Sequence, residues 1–284
     1  MDLFKSKTKG KIINLGIGLG NDLSQNLKIL RAIEDFLIEN QSLIYLFGTK
    51  NAISELLEKK AASNIKSKFI ESADPEKNII ESLKKHIVNA IIRGNLSSSK
   101  FLKYVKTLLS TEQIYRLALL ETIDQRQFFF GPVGIDECND LKKKIQFIEN
   151  ALRQFNSLKI EPKVSILSGG RLSDIGRDDY VDQTINMAEK VVSYFKEKYP
   201  KLNIQHNQIL IEAAIENESN LIIAPDGISG NLIYRTLVHL GGGNAYGALY
   251  MGLDYTIVDT SRVGQFSEIQ GAIYLALAQV KLGN

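Results

Sequence analysis

Short apolar segments alternate with longer amphipathic segments along this chain, and the alternation restricts the folds open to it. Apolar runs predict strands at residues 11–15, 42–47, 68–71, 87–92, 163–167, 221–224 and 255–258. Helical periodicity fills most of the intervals between these runs. Strands separated by helices of this length pair in parallel through right-handed crossovers. The sequence therefore predicts an α/β fold built on a parallel sheet.

The 284 residues give room for about two domains. Neighbouring apolar runs at 114–121 and 127–133 predict two successive strands, which we interpret as an antiparallel insertion near a domain boundary. The strand–helix rhythm then resumes, and the helix predicted at 268–279 is expected to return to the first domain. We thus expect a discontinuous first α/β domain of residues 1–128 and 259–284, and a second domain of residues 129–258.

Charge and composition exclude several classes of function. The 35 basic and 32 acidic residues give a net charge of +3, which is too balanced for a nucleic-acid or anionic-membrane partner. With no signal peptide and no membrane-length apolar run, we expect a cytoplasmic protein. A single cysteine and three scattered histidines offer no metal-site spacing. Cys138 has no histidine beside it in sequence, and we interpret it as an inert thiol rather than a nucleophile.

The stretch from Ser219 to Arg262 concentrates the residues that suggest chemistry. Pro225-Asp226-Gly227 ends the strand 221–224, and a helix follows. Free N–H groups and the dipole at a helix start favour an anion such as phosphate or carboxylate. Glycines 241–243 then end this helix, a short helical stretch is predicted, and Asp259-Thr260-Ser261-Arg262 follows the strand 255–258. The candidate ligand-binding residues in the first part are Asp226, Ser229, Gly230 and Asn231.

Two other strand ends carry similar turns. SGGRLSDIGR follows the strand 163–167 and places two arginines beside glycines, as capture of a phosphate-bearing ligand would require. The alternative is that these arginines pair with Asp174, Asp178 and Asp179 in a solvated network. At 97–99 three serines precede a helix, where they either bind a ligand or only cap the helix. The candidates are Ser168, Gly169, Gly170, Arg171, Arg177, Ser97, Ser98, Ser99 and Lys100.

The segment 225–262 resembles the phosphate acetyltransferase and butyryltransferase superfamily, which has a Pro-Asp, a Ser/Ala/Thr-Gly-Asn, a glycine pair and an Asp-x-Ser-Arg in this order. GPVGIDE (131–137), LSGGRLSDIGR (167–177) and IIRGNLSSSKFL (91–102) extend the resemblance to the MtxX-type methanogenesis marker family, named for a methyltransferase subunit. The resemblance implies a two-domain, isocitrate/isopropylmalate dehydrogenase-like fold of the phosphotransacetylase type, with a cleft between the domains.

The same resemblance implies acyl transfer between phosphate and a thiol such as coenzyme A, without a tightly bound cofactor. Arg262 would neutralise the phosphate and the developing oxyanion, Ser261 would donate a hydrogen bond to that oxygen, and Glu268 would take the thiol proton. Glu268 also falls in a predicted capping box that begins at Ser267, which is a structural reason for an acid there. The superfamily places an arginine near 97–100, whereas Lys100 or Lys103 would have to replace it here.

A second hypothesis assigns the protein to another class. The cleft would bind a phosphorylated metabolite, and the protein would be a non-catalytic or accessory subunit of a methyltransferase system. The departures at 97–100 and in the arginine-bearing loop favour this alternative. Methyltransferase subunits are then the expected partners, and a homodimer is expected by analogy with the superfamily.

Overall fold

The computed structural model describes residues 2–59, 66–262 and 264–280. The strands within these ranges are β1 (Asn14–Gly18), β2 (Leu43–Gly48), β3 (Ser67–Glu71), β4 (Ala90–Ile92), β5 (Tyr115–Glu121), β6 (Gln127–Gly131), β7 (Lys163–Leu167), β8 (Asn203–Gln208), β9 (Leu221–Ile223), β10 (Asn244–Met251) and β11 (Thr256–Asp259). The helices are α1 (Asp2–Thr8), α2 (Leu23–Glu39), α3 (Lys50–Glu58), α4 (Pro75–Lys84), α5 (Ser98–Leu108), α6 (Leu141–Ser157), α7 (Asp179–Lys198), α8 (Ile211–Glu216), α9 (Gly227–His239) and α10 (Phe266–Gln279). No helix in the described ranges is long and apolar enough to cross a membrane.

The chain forms two compact units, one of residues 1–114 with 245–284 and one of residues 115–244. The predicted boundaries at 128 and 259 differ from these divisions. The shift at the first boundary has a simple cause, because β5 pairs antiparallel with β6 and stays with it. At the second, β10 pairs with β11 and so belongs to the first unit from residue 245 onward.

The first unit contains strands in the order β3-β2-β1-β4-β11-β10. The strands from β3 to β11 are parallel, and β10 is antiparallel to β11. Helix α10 packs against α2 and against β4 and β11. Aromatic and aliphatic side chains from the strands meet α4 and α5 in one buried cluster, which includes Phe47, Ile91 and Phe101. This packing fixes the carboxyl ends of β4 and β11 side by side.

The second unit contains strands in the order β5-β6-β9-β7-β8. The predicted antiparallel β5–β6 pair is confirmed, and β6, β9, β7 and β8 are parallel. Helix α6 packs on α7, and α7 covers β7 and β8. Phe130, Phe147, Phe155 and Phe195 are fully buried in this unit. The mostly parallel sheet predicted from the strand–helix alternation is therefore present in both units.

Two elements depart from the sequence-based prediction. The short helical stretch predicted after residue 243 is wrong, because Asn244–Met251 forms β10. Gly247 in this segment has φ of 89°, a value that a right-handed helix does not accommodate, and pairing with β11 overrides the helix propensity of its alanines and leucine. Strand β8 was not predicted, since NIQHNQ is polar and lacks an apolar run. Helical periodicity predicts a helix over residues 51–60, and its last residue, Lys60, lies outside the described residues.

A buried ion pair joins the carboxyl ends of β4 and β11. The Arg93 guanidinium donates to the Asp259 carboxylate and to the Thr260 carbonyl, and its Nη1 donates to the Leu96 carbonyl at 2.7 Å. Arg93 is only 4% exposed. Burial works to lower the pKa of Arg93, but Asp259, Tyr250 and Glu268 together outweigh it and raise that pKa. The guanidinium is thus a permanent cation that bonds to the loop after β4 and to the loop after β11.

Removing this guanidinium should cost far more stability than removing an exposed one. In Arg93→Ala the Asp259 carboxylate stays buried without its partner, and we expect the free energy of unfolding to fall by about 3–5 kcal/mol. The matched control is Arg177→Ala, because Arg177 pairs with Asp174 at 2.8 Å but is 77% exposed. Its loss should cost less than about 1 kcal/mol. Urea unfolding of both variants measures this, and equal losses would contradict a stabilising role for the buried pair.

Candidate functional site

The loop between β11 and α10 contains Ser261 and Arg262, and its main chain contacts the third predicted catalytic residue, Glu268 on α10. The backbone N–H of Ser261 donates to Oε1 of Glu268 at 2.6 Å. Glu268 is 4% exposed, Ser261 is half-buried and Arg262 is exposed. The predicted capping box beginning at Ser267 is wrong, because α10 starts at Phe266 with Gln265 at its N-cap and no side-chain cap bond. The Glu268 carboxylate thus contacts the main chain of the loop that contains Ser261.

Contacts within the first unit also connect this loop with the predicted serine turn. Thr260 Oγ1 donates to the Gly94 carbonyl at 2.9 Å, next to the Arg93 contacts. The serines follow three residues later, with Ser97 at the N-cap of α5. Its side chain makes no cap bond, and its N–H donates to Glu76 Oε1 at 3.1 Å. Among the other candidates there, Ser98 is half-buried, and Ser99 and Lys100 are exposed.

In the second unit, Asp226 is the N-cap of α9. Its Oδ1 accepts from the Ser229 N–H at 2.8 Å, and its Oδ2 accepts from the Tyr180 hydroxyl at 2.7 Å. Burial opposes the charged form, but these hydrogen bonds outweigh it and lower the pKa of Asp226. Asp226 and Ser229 also form a reciprocal capping box. Two of the predicted ligand-binding residues thus have partners within the chain.

The first turn of α9 lies against the segment 131–137. A Cβ on Gly227 would overlap the Gly134 carbonyl oxygen, and one on Gly230 would overlap the Pro132 carbonyl oxygen. Asn231 Nδ2 donates to the Val133 carbonyl at 2.9 Å. Gly230 and Asn231 therefore have a packing role, which also explains why GPVGIDE accompanies the Ser-Gly-Asn element in this sequence.

The loop after β7 contains both predicted arginines. Arg177 pairs with Asp174, as the alternative interpretation of a solvated network states, and Arg171 is exposed. The Arg171 N–H donates to Asp174 Oδ2 at 2.8 Å, and the Gly169 N–H donates to Thr184 Oγ1 at 2.8 Å. A Cβ on Gly170 would press on Val181. The bond from Gly169 to Thr184 attaches the loop to α7.

His206, which contacts Ser168 in this loop, and Glu189, which contacts His206, were not identified from the sequence. Ser168 Oγ lies 2.8 Å from Nε2 of His206, and Nδ1 of His206 lies 2.5 Å from Oε1 of Glu189. His206 lies on β8, the strand that was not predicted. The spacing of the histidines in sequence gave no signal. Ser168, His206 and Glu189 are far apart in sequence and meet only in the fold.

Cys138 and Lys144 are buried titratable groups near the start of α6. Burial raises the pKa of the Cys138 thiol well above its ordinary value, so the reactive thiolate is disfavoured, as expected for an inert cysteine. Lys144 is fully buried, and its ammonium donates to the Pro225 carbonyl. Burial lowers the pKa of Lys144 to about 8. Lys144 thus supports the turn that presents Asp226.

Comparison with known proteins assigns this sequence to a family. The sequence profile of the phosphate acetyl/butaryl transferase family matches residues 49–277. The chain belongs to this family. The matched range contains every candidate residue from Ser97 to Glu268, so the phosphate acetyl/butaryl transferase match covers both units of the chain.

Relatives within the family carry different names. A protein of Methanosarcina mazei called "Putative methyltransferase mtx subunit X" is 46% identical over 74% of this chain and 73% of its own length. An uncharacterized methyltransferase of Methanocaldococcus jannaschii is 35% identical over 81% of this chain and 96% of its own length. Among solved structures, a branched-chain phosphotransacylase from Enterococcus faecalis superposes with a TM-score of 0.72 at 16% identity, covering 95% of this chain and 100% of that chain. The last likeness shows a shared fold.

Lys144 should give the protein a measurable pH dependence of stability. Between pH 8 and 10.5 the unfolded chain keeps the lysine proton that the native state has lost, so Lys144 contributes a rise of roughly 2–3 kcal/mol to the free energy of unfolding, while the Cys138 thiol, whose pKa burial raises, contributes a fall. Lys144→Met should abolish this rise, whereas Lys142→Met, on an exposed neighbour, should keep it. Urea unfolding at pH 7.5 and 9.5 measures the difference, and parallel pH profiles for the parent and Lys144→Met would refute the assignment.

Proposed function

We propose that this protein transfers an acyl group between phosphate and a thiol such as coenzyme A, at the loop that contains Ser261, Arg262 and Glu268. The observation that carries the proposal is the 2.6 Å hydrogen bond from the Ser261 N–H to the Glu268 carboxylate. The bond supports the proposal because it links an acid to the main chain of the Ser-Arg element in a chain of the phosphate acetyl/butaryl transferase family. The proposed substrates are an acyl phosphate and coenzyme A, and no step needs a tightly bound cofactor.

Each residue has a distinct part in this proposal. The guanidinium of Arg262 is a permanent cation with a fork that fits phosphate oxygens, and it would stabilise the negative charge that develops on the carbonyl oxygen. The Ser261 hydroxyl would donate to the same oxygen. The Glu268 carboxylate would accept the thiol proton as the sulfur attacks the carbonyl carbon, and phosphate would leave with the electrons of the broken C–O bond.

Other candidates would bind the rest of the ligands. In the first unit these are Ser97, Ser98, Ser99 and Lys100. In the second unit they are Asp226, Ser229, Gly230, Asn231, Ser168, Gly169, Gly170, Arg171 and Arg177. Arg171 is the strongest of them, because its side chain is exposed and the main chain of its loop is attached to α7.

The test is thioester formation by the purified protein from coenzyme A and a panel of acyl phosphates. Glu268→Gln keeps an oxygen that can accept from the Ser261 N–H but removes the base, so we expect a fall in kcat of about 100-fold or more with little change in stability. Arg262→Ala should raise KM for the acyl phosphate and lower kcat. Arg235→Ala, an exposed arginine on α9, is the control and should match the parent.

The alternative role has its own support and its own outcome. The relatives from Methanosarcina and Methanocaldococcus are named as methyltransferases or a methyltransferase subunit, which favours an accessory subunit that binds a phosphorylated metabolite. Calorimetric titration of acetyl phosphate and inorganic phosphate into the parent separates the two roles. Binding without thioester formation for any acyl phosphate would exclude the acyltransferase and support the accessory subunit.

A further inference from the structure

Ser168, His206 and Glu189 form a linear relay in the second unit. Ser168 directly follows β7, His206 lies on β8, and Glu189 lies on α7, which covers both strands. The two contacts are 2.8 Å between Ser168 Oγ and His206 Nε2, and 2.5 Å between His206 Nδ1 and Glu189 Oε1. The side chain of His206 is 5% exposed and that of Glu189 is 52% exposed. A hydroxyl, an imidazole and a carboxylate in this order are the parts of a serine nucleophile and its base.

Counting protons defines two states of the relay. An ionised carboxylate only accepts, so Nδ1 of His206 carries a proton that it donates to Glu189. When the imidazole is neutral, Nε2 is an acceptor and must receive the single Ser168 hydroxyl proton. When the imidazole is protonated, Nε2 donates to Ser168, and the hydroxyl is free to donate to the Gly170 carbonyl, which lies 2.8 Å away. Only the neutral imidazole aligns the hydroxyl to give its proton to a base, because in the protonated form the added proton comes from solvent and the hydroxyl keeps its own.

The surroundings of the relay also suit a reacting group. The carboxyl ends of parallel strands are where open α/β sheets bind ligands, and Ser168 lies at the carboxyl end of β7. Ser168 is 1% exposed, but the next residue, Gly169, is exposed and has no side chain to block an approach. In contrast, Ser165 on the same strand bonds to Asn207, which cannot act as a base.

We propose that Ser168 is a nucleophile activated by His206 and oriented through Glu189, and that it accepts the acyl group of a small activated ester or acyl phosphate. Ser168 Oγ bonds to the carbonyl carbon while its proton moves to His206 Nε2. The C–O bond to the leaving group then breaks with its electron pair, and His206 gives that proton to the leaving oxygen and becomes neutral again. Water then attacks the acyl-serine, gives a proton to His206, and Oγ leaves with the proton that His206 returns. The net reaction is hydrolysis, and it does not depend on acyl transfer at Ser261.

The experiment is labelling of the full chain by a small fluorophosphonate, which forms a P–O bond to an activated serine and releases fluoride. Intact mass and peptide mapping should show one adduct, at Ser168, and none in Ser168→Ala. His206→Gln keeps a donor near the position of Nε2 but provides no base, so the labelling rate should fall about 100-fold or more while the fold is retained. Glu189→Gln should slow labelling less, and Glu189→Asp should restore part of the rate.

Ser165→Ala is the matched control, because it removes the neighbouring buried hydroxyl and should label at the parent rate. Absence of an adduct in a folded parent, an adduct at another residue, or equal rates in the parent and His206→Gln would each overturn the proposal. Thioester formation from coenzyme A is measured separately, so a failure of labelling and a failure of the proposed acyltransferase give different results.

Discussion

The loops that follow β4 and β11 in the first unit depend on the hydrogen bonds and the ion pair of the Arg93 guanidinium. It follows β4 and bonds to the carboxylate and carbonyl at the end of β11, so two strands that are far apart in sequence end in one hydrogen-bonded network. A buried charge of this kind is stable only with its partners in place. The loop that contains Ser261 and Arg262 begins directly after this network. Its starting position is thus set by a residue that takes no part in the proposed chemistry.

In the second unit the corresponding turn is fixed by close backbone contact, next to the ion pair between Arg116 and the buried Glu137. There the main chain of 131–137 approaches the first turn of α9 so closely that only glycine fits at 227 and 230. Backbone contact of this kind leaves little freedom for the turn to shift. The Lys144 ammonium adds a hydrogen bond to the Pro225 carbonyl. Both units therefore fix a strand end firmly. The first does so through the Arg93 ion pair, and the second through close backbone contact together with the side chains of Glu137 and Lys144.

Much of the fold could be predicted because its strands are apolar and its helices periodic. The parallel sheet, the β5–β6 hairpin and the position of Ser261 and Arg262 after β11 follow from these patterns or from the family resemblance. Strand β8 could not be predicted because its side chains are polar. The residues of β10 have helix propensity and were predicted as a helix, but pairing with β11 makes them a strand. The partner of Glu268 could not be inferred either, since a capping box at Ser267 fits the sequence equally well and only tertiary contact decides between them. His206 was missed for the same reason, because its neighbours come from β7 and α7.

The capping of α9 has a consequence for what can bind at its start. A helix N-terminus normally attracts a negative group from solution. Here the chain already supplies one, because Asp226 occupies that position and is held in its charged form by Ser229 and Tyr180. An incoming phosphate would meet like charge at close range, whereas an uncharged carbonyl or amide would not. This turn therefore selects against anions, and the phosphoryl group of any ligand is better recognised by the exposed arginines elsewhere on the chain.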